Sequence, residues 1–184
     1  MDNSLHFCCL ALILVFAACG SPSEPEEQGA PSSSPGATGG APEALGAPRF
    51  VAQPGWTEQK PESAMRYLEF VLEGEGSPVL VVSHWPNGVG GLDANMDRWR
   101  GSVTGSDPGV GKTTFPNDLR IDSLRKVGQV TDGMGGPASE GALMVAYVES
   151  PAGRFPGVYT VKVMGPTATL DAHAERFEAF LAGL

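Results

Sequence analysis

Between positions 20 and 48 the chain reads GSPSEPEEQGAPSSSPGATGGAPEALGAP, a run of Pro, Gly, Ser and Ala with almost no side chain able to build a core. Such a segment cannot bury enough apolar surface to offset the entropy of ordering its backbone, and is expected to be disordered. As a flexible coil it would span about 30 Å end to end. Whatever folds must therefore come from Arg49 to Leu184, long enough for one domain with a core and too short for two comfortable ones. The cysteines restrict it further. All three, Cys8, Cys9 and Cys19, precede this region, so the folded part holds no disulfide and no thiolate metal site.

Within Arg49 to Leu184 the apolar residues follow two periods. Met65 to Glu73 alternates Leu68, Phe70 and Leu72 against Tyr67, Glu69 and Glu73, the pattern of a strand with one buried face. VLVVSHW at 79–85 and ALMVAYV at 142–148 are apolar on both faces, which predicts central strands covered above and below. VYTVKVM at 158–164 is a further strand, and FVA at 50–52 and KVGQVT at 126–131 are weaker ones. Leu92, Met96, Trp99 and Val103 fall at i, i+4, i+7 and i+11, one stripe of a helix over 91–103. Leu170, Ala174, Phe177, Leu181 and Leu184 repeat that spacing in a closing helix, with Thr167 or Thr169 as its cap and Asp171 in its first turn. The order β-β-β-α-β-β-β-α predicts an α+β domain, a mostly antiparallel sheet covered by helices in an αβα sandwich.

The leader has its own logic. CCLALILVFAA at 8–18 is too short to span a bilayer and has the length of a secretory signal's apolar centre. Phe16, Ala17, Ala18 and Cys19 resemble the lipobox of bacterial lipoproteins, in which the cysteine is lipidated and becomes the N-terminus. Phe16 stands where Leu is usual, and no Lys or Arg precedes the apolar centre. This resemblance implies a signal peptide at 1–18, a lipid on Cys19, a tether over 19–48 and a globular domain over 49–184. Gly20 and Ser21 differ from the Asp that retains many lipoproteins in the inner membrane, which implies the outer membrane, facing the periplasm. A cleaved soluble signal with Cys19 incidental is the alternative.

In the folded part, GW at 55–56, SAMR at 63–66 and GGLDANMDRWRG at 90–101 resemble an uncharacterised family of bacterial envelope proteins similar in fold to the PsbP superfamily, which includes the photosynthetic subunit PsbP and the Ran-binding factor Mog. VKVMGP at 161–166 and the closing FEAFLAGL agree with it, and Ser102 replaces an expected Gln. The resemblance implies a PsbP-like domain that binds or assembles without catalysis. It supplies no catalytic residue.

GSDPGVGKTT at 105–114 looks like a phosphate-binding loop, but the GxxxxGK[ST] pattern demands glycine at 106, where Ser106 stands. Pro116 and Asn117 follow too soon for a helix to begin there, so the stretch is expected to be a turn with a solvated Lys112 and no nucleotide. His84 and His173 have no metal-ligand spacing, no GxSxG is present for Ser83 to serve, and no metal or cofactor is expected. Asp93 and Asp97 share a helical face, where an Asp97–Arg100 ion pair is the simple reading and acid/base chemistry the rival one. Lys162 projects from an otherwise apolar strand and needs solvent, an acid or a ligand. A cleft between helix and sheet would serve it, with Trp99 as apolar wall, Arg100 and Lys162 as anion donors and Asn95 fixing orientation. The competing arrangement has Asn95 bonding backbone, Trp99 in the core and Lys162 snorkelling at a rim. The net charge of −9 disfavours nucleic acid and anionic lipid surfaces. A lipid-anchored, non-catalytic domain binding an envelope protein or small ligand is the leading expectation. An envelope hydrolase using carboxylates in a helix–sheet cleft is the alternative, and requires groups such as His84, Asp97 and Lys162 to converge.

Overall fold

The computed structural model describes residues 46–131 and 138–184; Cys19, the leader at 1–18 and the linker up to residue 45 lie outside the described residues. Strands β1 (Trp56–Gln59), β2 (Leu68–Leu72) and β3 (Val79–Trp85) come first, then helix α1 (Leu92–Gly101). β4 (Val103–Thr104), β5 (Val110–Thr114), a 3-10 turn at Pro116–Asp118, β6 (Arg120–Val130), β7 (Ser139–Glu149), β8 (Val158–Gly165) and α2 (Thr167–Ala182) complete the chain. All pairings are antiparallel, in the order β1-β2-β3-β8-β7-β6-β4, with β5 lying on the same edge of β6 as β4. The domain is α+β, with one helix on each face of the sheet.

Side chains alternate between the faces. On one, Phe70, Leu80, Tyr159 and Val161 meet Leu170, Phe177 and Phe180 of α2. Phe50, Trp56 and Phe155 seal the gaps that α2 leaves. On the other, Leu124, Val145 and Tyr147 meet Met96 and Trp99 of α1.

Several expectations change. FVA at 50–52 is not a strand, since Pro48 and Pro54 bracket it and withhold ladder donors; Phe50 nonetheless enters the core, with its ring 5.3 Å from that of Tyr159. The strand at 126–131 begins earlier, at Arg120. Its first half was hidden by buried polar residues whose partners the sheet supplies: Thr113 Oγ1 donates to Asp122 Oδ1 at 2.6 Å, Arg120 Nε lies 2.9 Å from Asp122 Oδ2, which makes no hydrogen bond among the described residues, and Ser123 Oγ donates to the Lys112 carbonyl at 3.4 Å. Val110 to Thr114, expected as a turn, is the edge strand β5; one face of an edge strand can stay polar, so it lacks the apolar alternation of an inner one. Helix α1 stops at Gly101, where Ser102 returns its N–H to Arg98 and its Oγ to the Trp99 carbonyl, and Val103 is buried in β4 instead.

α2 begins after Pro166 with no side-chain cap. Thr169 donates its hydroxyl to the Glu75 carbonyl at 3.1 Å, and Asp171, beyond the first turn, pairs with Arg125 of β6. His173 is buried and ties α2 to the β1–β2 corner. Trp56 Nε1–H donates to its Nδ1 at 3.0 Å, and its Nε2 lies 2.7 Å from the Glu73 carbonyl, which can only accept; the ring is therefore protonated at Nε2. A His173→Leu substitution would fill the space and orphan both partners, with an expected cost of about 2–4 kcal/mol in urea unfolding. A loss below about 0.5 kcal/mol would show that the corner is not held there.

Candidate functional site

Helix α1 has ten residues, a rod of about 15 Å. It packs chiefly against β4, β6 and β7; on β3 and β8 its core cluster takes in Val158, Trp85 and Met164 and leaves Val79, Val81 and Lys162 outside. The outward faces of these two strands therefore stay half-covered and form a cleft of about 590 Å³, within the usual range for small-molecule sites. Val79, Val81, Ser83 and Trp85 of β3 and Thr160, Lys162 and Met164 of β8 form its floor. Arg98, Trp99 and Ser102 form one wall; Ser63, Met65 and Arg66 form the opposite rim. The sequence expectation of a β3 covered on both faces is thus corrected, because the helix is too short and too narrow to cover the whole sheet.

Of the four residues singled out from sequence, two come together in the cleft. Trp99 is buried at the foot of the helix wall and Lys162 rises from the floor beside Val81. Asn95 is wholly buried under the helix N-terminus, where Nδ2 donates to the carbonyls of Val89 at 2.7 Å and Gly91 at 2.6 Å. Its Oδ1 accepts from Arg98, so it positions a cleft residue without lining the cleft. Arg100 points to solvent and pairs with Asp97 at 3.2 Å, the simple helical ion pair. Arg98 takes the place given to Arg100. The helical wheel carries that signal, since 95, 98, 99 and 102 share a face and 93, 97 and 100 share the opposite one.

The charges are unevenly matched. Glu69 is completely buried and accepts from Arg66 at 2.8 Å, Gln59 Nε2 at 2.7 Å and the Glu62 N–H at 3.0 Å. Burial alone pushes this carboxyl up, but Arg66 and the other donors outweigh it and hold it below the ordinary carboxylate range. Arg66, which also meets Glu62 at 3.0 Å, is thereby neutralised at the rim. Lys162 has no such relief: among the described residues no carboxylate or hydrogen-bond acceptor meets Nζ. Burial, and then the neighbouring charge of Arg98, push its pKa below the ordinary 10.5. Among the described residues no Asp or Glu lines the cleft. Trp85 Nε1–H donates to Thr160 Oγ1 at 3.1 Å, which leaves that hydroxyl's own hydrogen to turn toward a ligand.

The groups required by the rival chemistry do not converge. His84 lies on the opposite sheet face, stacked on Tyr159 with ring centroids 4.3 Å apart, and Asp97 is on the outer side of α1. Among the described residues no group of three or more His, Cys, Asp or Glu is placed to hold a metal ion. Gly111 and Lys112 lie within β5, and the chain then enters β6, so the loop-to-helix turn that cradles phosphate is not formed there. Lys112 is not simply solvated; its Nζ meets Glu178 of α2 at 2.7 Å and fastens the edge strand to the helix. Comparison with protein-family models, characterised proteins and solved structures finds no match to the chain.

Two measurements check these assignments. Both ends of the Lys112–Glu178 pair are largely exposed, so Lys112→Met should change stability by no more than about 1 kcal/mol and leave ATP binding at background in calorimetry. Lys162→Met removes an unpaired charge from a half-buried place and should stabilise the fold by about 0.5–2 kcal/mol at neutral pH. Because the folded pKa of Lys162 lies below its unfolded value, the unfolded chain holds more protons in the alkaline window approaching 10.5, and stability should rise with pH there. That rise, followed by urea unfolding, should flatten in Lys162→Met.

Proposed function

We propose that this chain is a lipid-anchored envelope lipoprotein whose PsbP-like domain holds an anionic ligand, without catalysis, in the cleft between α1 and strands β3 and β8. The observation that carries the reading is the pairing of Arg98 with Lys162 over a floor that offers neither a carboxylate. Two cations brought together without a counter-ion repel each other, and a fold tolerates the cost where something negative occupies the place between them. Arg98 offers a planar fork of donors and Lys162 a point charge, the combination that grips a carboxylate or phosphate from two sides. The hydrolase reading has less support, since the carboxylates it needs are tied to Arg66 and Arg100 or stand outside the cleft.

The lipid on Cys19 and anchorage at the periplasmic side of the outer membrane are carried by the leader and lipobox resemblance. The tether would let the domain meet its ligand near the bilayer without being held flat against it.

Fractionation tests the anchor: Cys19→Ala should move the protein from the membrane to the soluble fraction, and unchanged membrane association would refute lipidation. The exported Cys19→Ala chain then serves for binding, by titrating inorganic phosphate, acetate and decanoate at fixed ionic strength and following backbone and indole N–H resonances. At least one of these anions should shift Lys162, Thr160 and the Trp99 indole in the otherwise unaltered chain. None should do so once Arg98→Met and Lys162→Met are combined. If no anion moves the cleft resonances, the reading fails.

A further inference from the structure

We infer that the ligand of this cleft is a single-chain amphiphilic anion, an acidic headgroup carrying an aliphatic tail, with the head between Arg98 and Lys162 and the tail along Val79, Val81 and Met164. The inference rests on the anion-binding reading above and narrows its ligand class. A bare inorganic anion suits this place poorly, for three reasons. Arg98 sits in the last turn of α1, where the helix dipole presents its negative end, so the backbone gives a small anion no help. The floor lies on paired strands whose backbone N–H groups are spent in the sheet ladder, so it forms no cradle of backbone N–H groups such as compact oxyanions use. Most of the remaining lining is apolar, and an inorganic ion would leave it wet.

That apolar lining is continuous. Val79 and Val81 alternate along β3, Lys162 is paired in register with Val81, and Met164 follows two residues on along β8. A head held at Lys162 therefore has a hydrocarbon track beginning beside it. At the rim stands Met65, 65% exposed, among the largest exposed apolar side chains of the described residues. Flexible thioether side chains adapt to irregular apolar guests, and Met65 at the rim can fold over a chain lying along Met164 of the floor. The floor changes character in the other direction, to Ser83, Thr160 and Trp85, so hydroxyl donors are available to the oxygens of the head and not to the tail.

The Cys19→Ala chain is titrated with decanoate, decyl phosphate, decanol, acetate and inorganic phosphate. Decanoate or decyl phosphate should bind one to one and at least tenfold tighter than acetate or inorganic phosphate, since each buried methylene adds roughly a factor of three to four. Which of the two binds tighter identifies the headgroup, and either result supports the inference. Decanol, with the tail but no charge, should bind at least tenfold more weakly than decanoate. Lys162→Met should cut the preference for decanoate over decanol severalfold, and adding Arg98→Met should erase it; because the Lys162→Met variant is expected to be more stable than the parent, its loss of binding cannot be put down to unfolding. Val81→Thr, close in shape but polar, should weaken decanoate severalfold and leave acetate and phosphate unchanged. If inorganic phosphate binds within threefold of decanoate, the amphiphile inference is overturned while the anion-binding reading stands. If decanol binds as tightly as decanoate, or no probe binds, both are overturned.

Discussion

A sheet of this width cannot be covered by one short helix. Neighbouring strands lie about 4.8 Å apart and a helix with its side chains is about 10–12 Å across, so one helix shields roughly two strands. On the α2 face the shortfall is made up by Phe50, Trp56 and Phe155, aromatic side chains brought in from outside the helix. On the α1 face no such filler among the described residues covers β3, where Val79, Val81, Ser83 and Trp85 remain half-buried, or Lys162 and Met164 of β8, although Val158 and Thr160 are buried. The cleft is the part of the hydrophobic surface that this architecture leaves unsealed, and its apolar floor needs no separate explanation.

The placement of charge in that opening does. Elsewhere the described ionic groups follow ordinary rules: Glu69 is buried but amply bonded, Arg125 meets Asp171, and Lys112 meets Glu178. Lys162 departs from them, since burial and Arg98 act on it in the same direction and both disfavour its charge. A protein with a net charge of −9 has acidic side chains to spare, yet among the described residues none lines this cleft. Conflict between local cost and fold is concentrated at functional sites, where a group is kept for what it does to a ligand.

Much of the sheet was legible in the sequence because its inner strands carry dense, β-branched apolar runs; 142–148 and 158–164 lie within β7 and β8. Strands with weak or interrupted patterns were not legible. β5 is an exposed edge in which glycine and lysine obscure the alternation, and β6 opens with Asp122 and Ser123 facing partners that only the folded sheet supplies. At the site, Lys162 and Trp99 were visible as a charge in an apolar strand and an aromatic on a helical stripe. Arg100 was expected in the cleft, but two residues along a helix turn a side chain by about 200°, which puts Arg98 there instead. For Asn95 and Trp99 the competing arrangement holds, with Asn95 bonding backbone carbonyls and Trp99 in the core.

The carbonyls that Asn95 bonds link the cleft to the loop before α1. Asn95 grips Val89 and Gly91 with its amide nitrogen and Arg98 with its oxygen, so a single buried side chain yokes the entry loop of α1 to the guanidinium on the wall. The loop turns on Gly88, Gly90 and Gly91, all at positive φ and with open space where a β-carbon would stand. Backbone of that kind can pivot at little steric cost. A shift of the glycine turn would swing the arginine with it, so the proposed grip on an anion would answer to a segment outside the cleft lining.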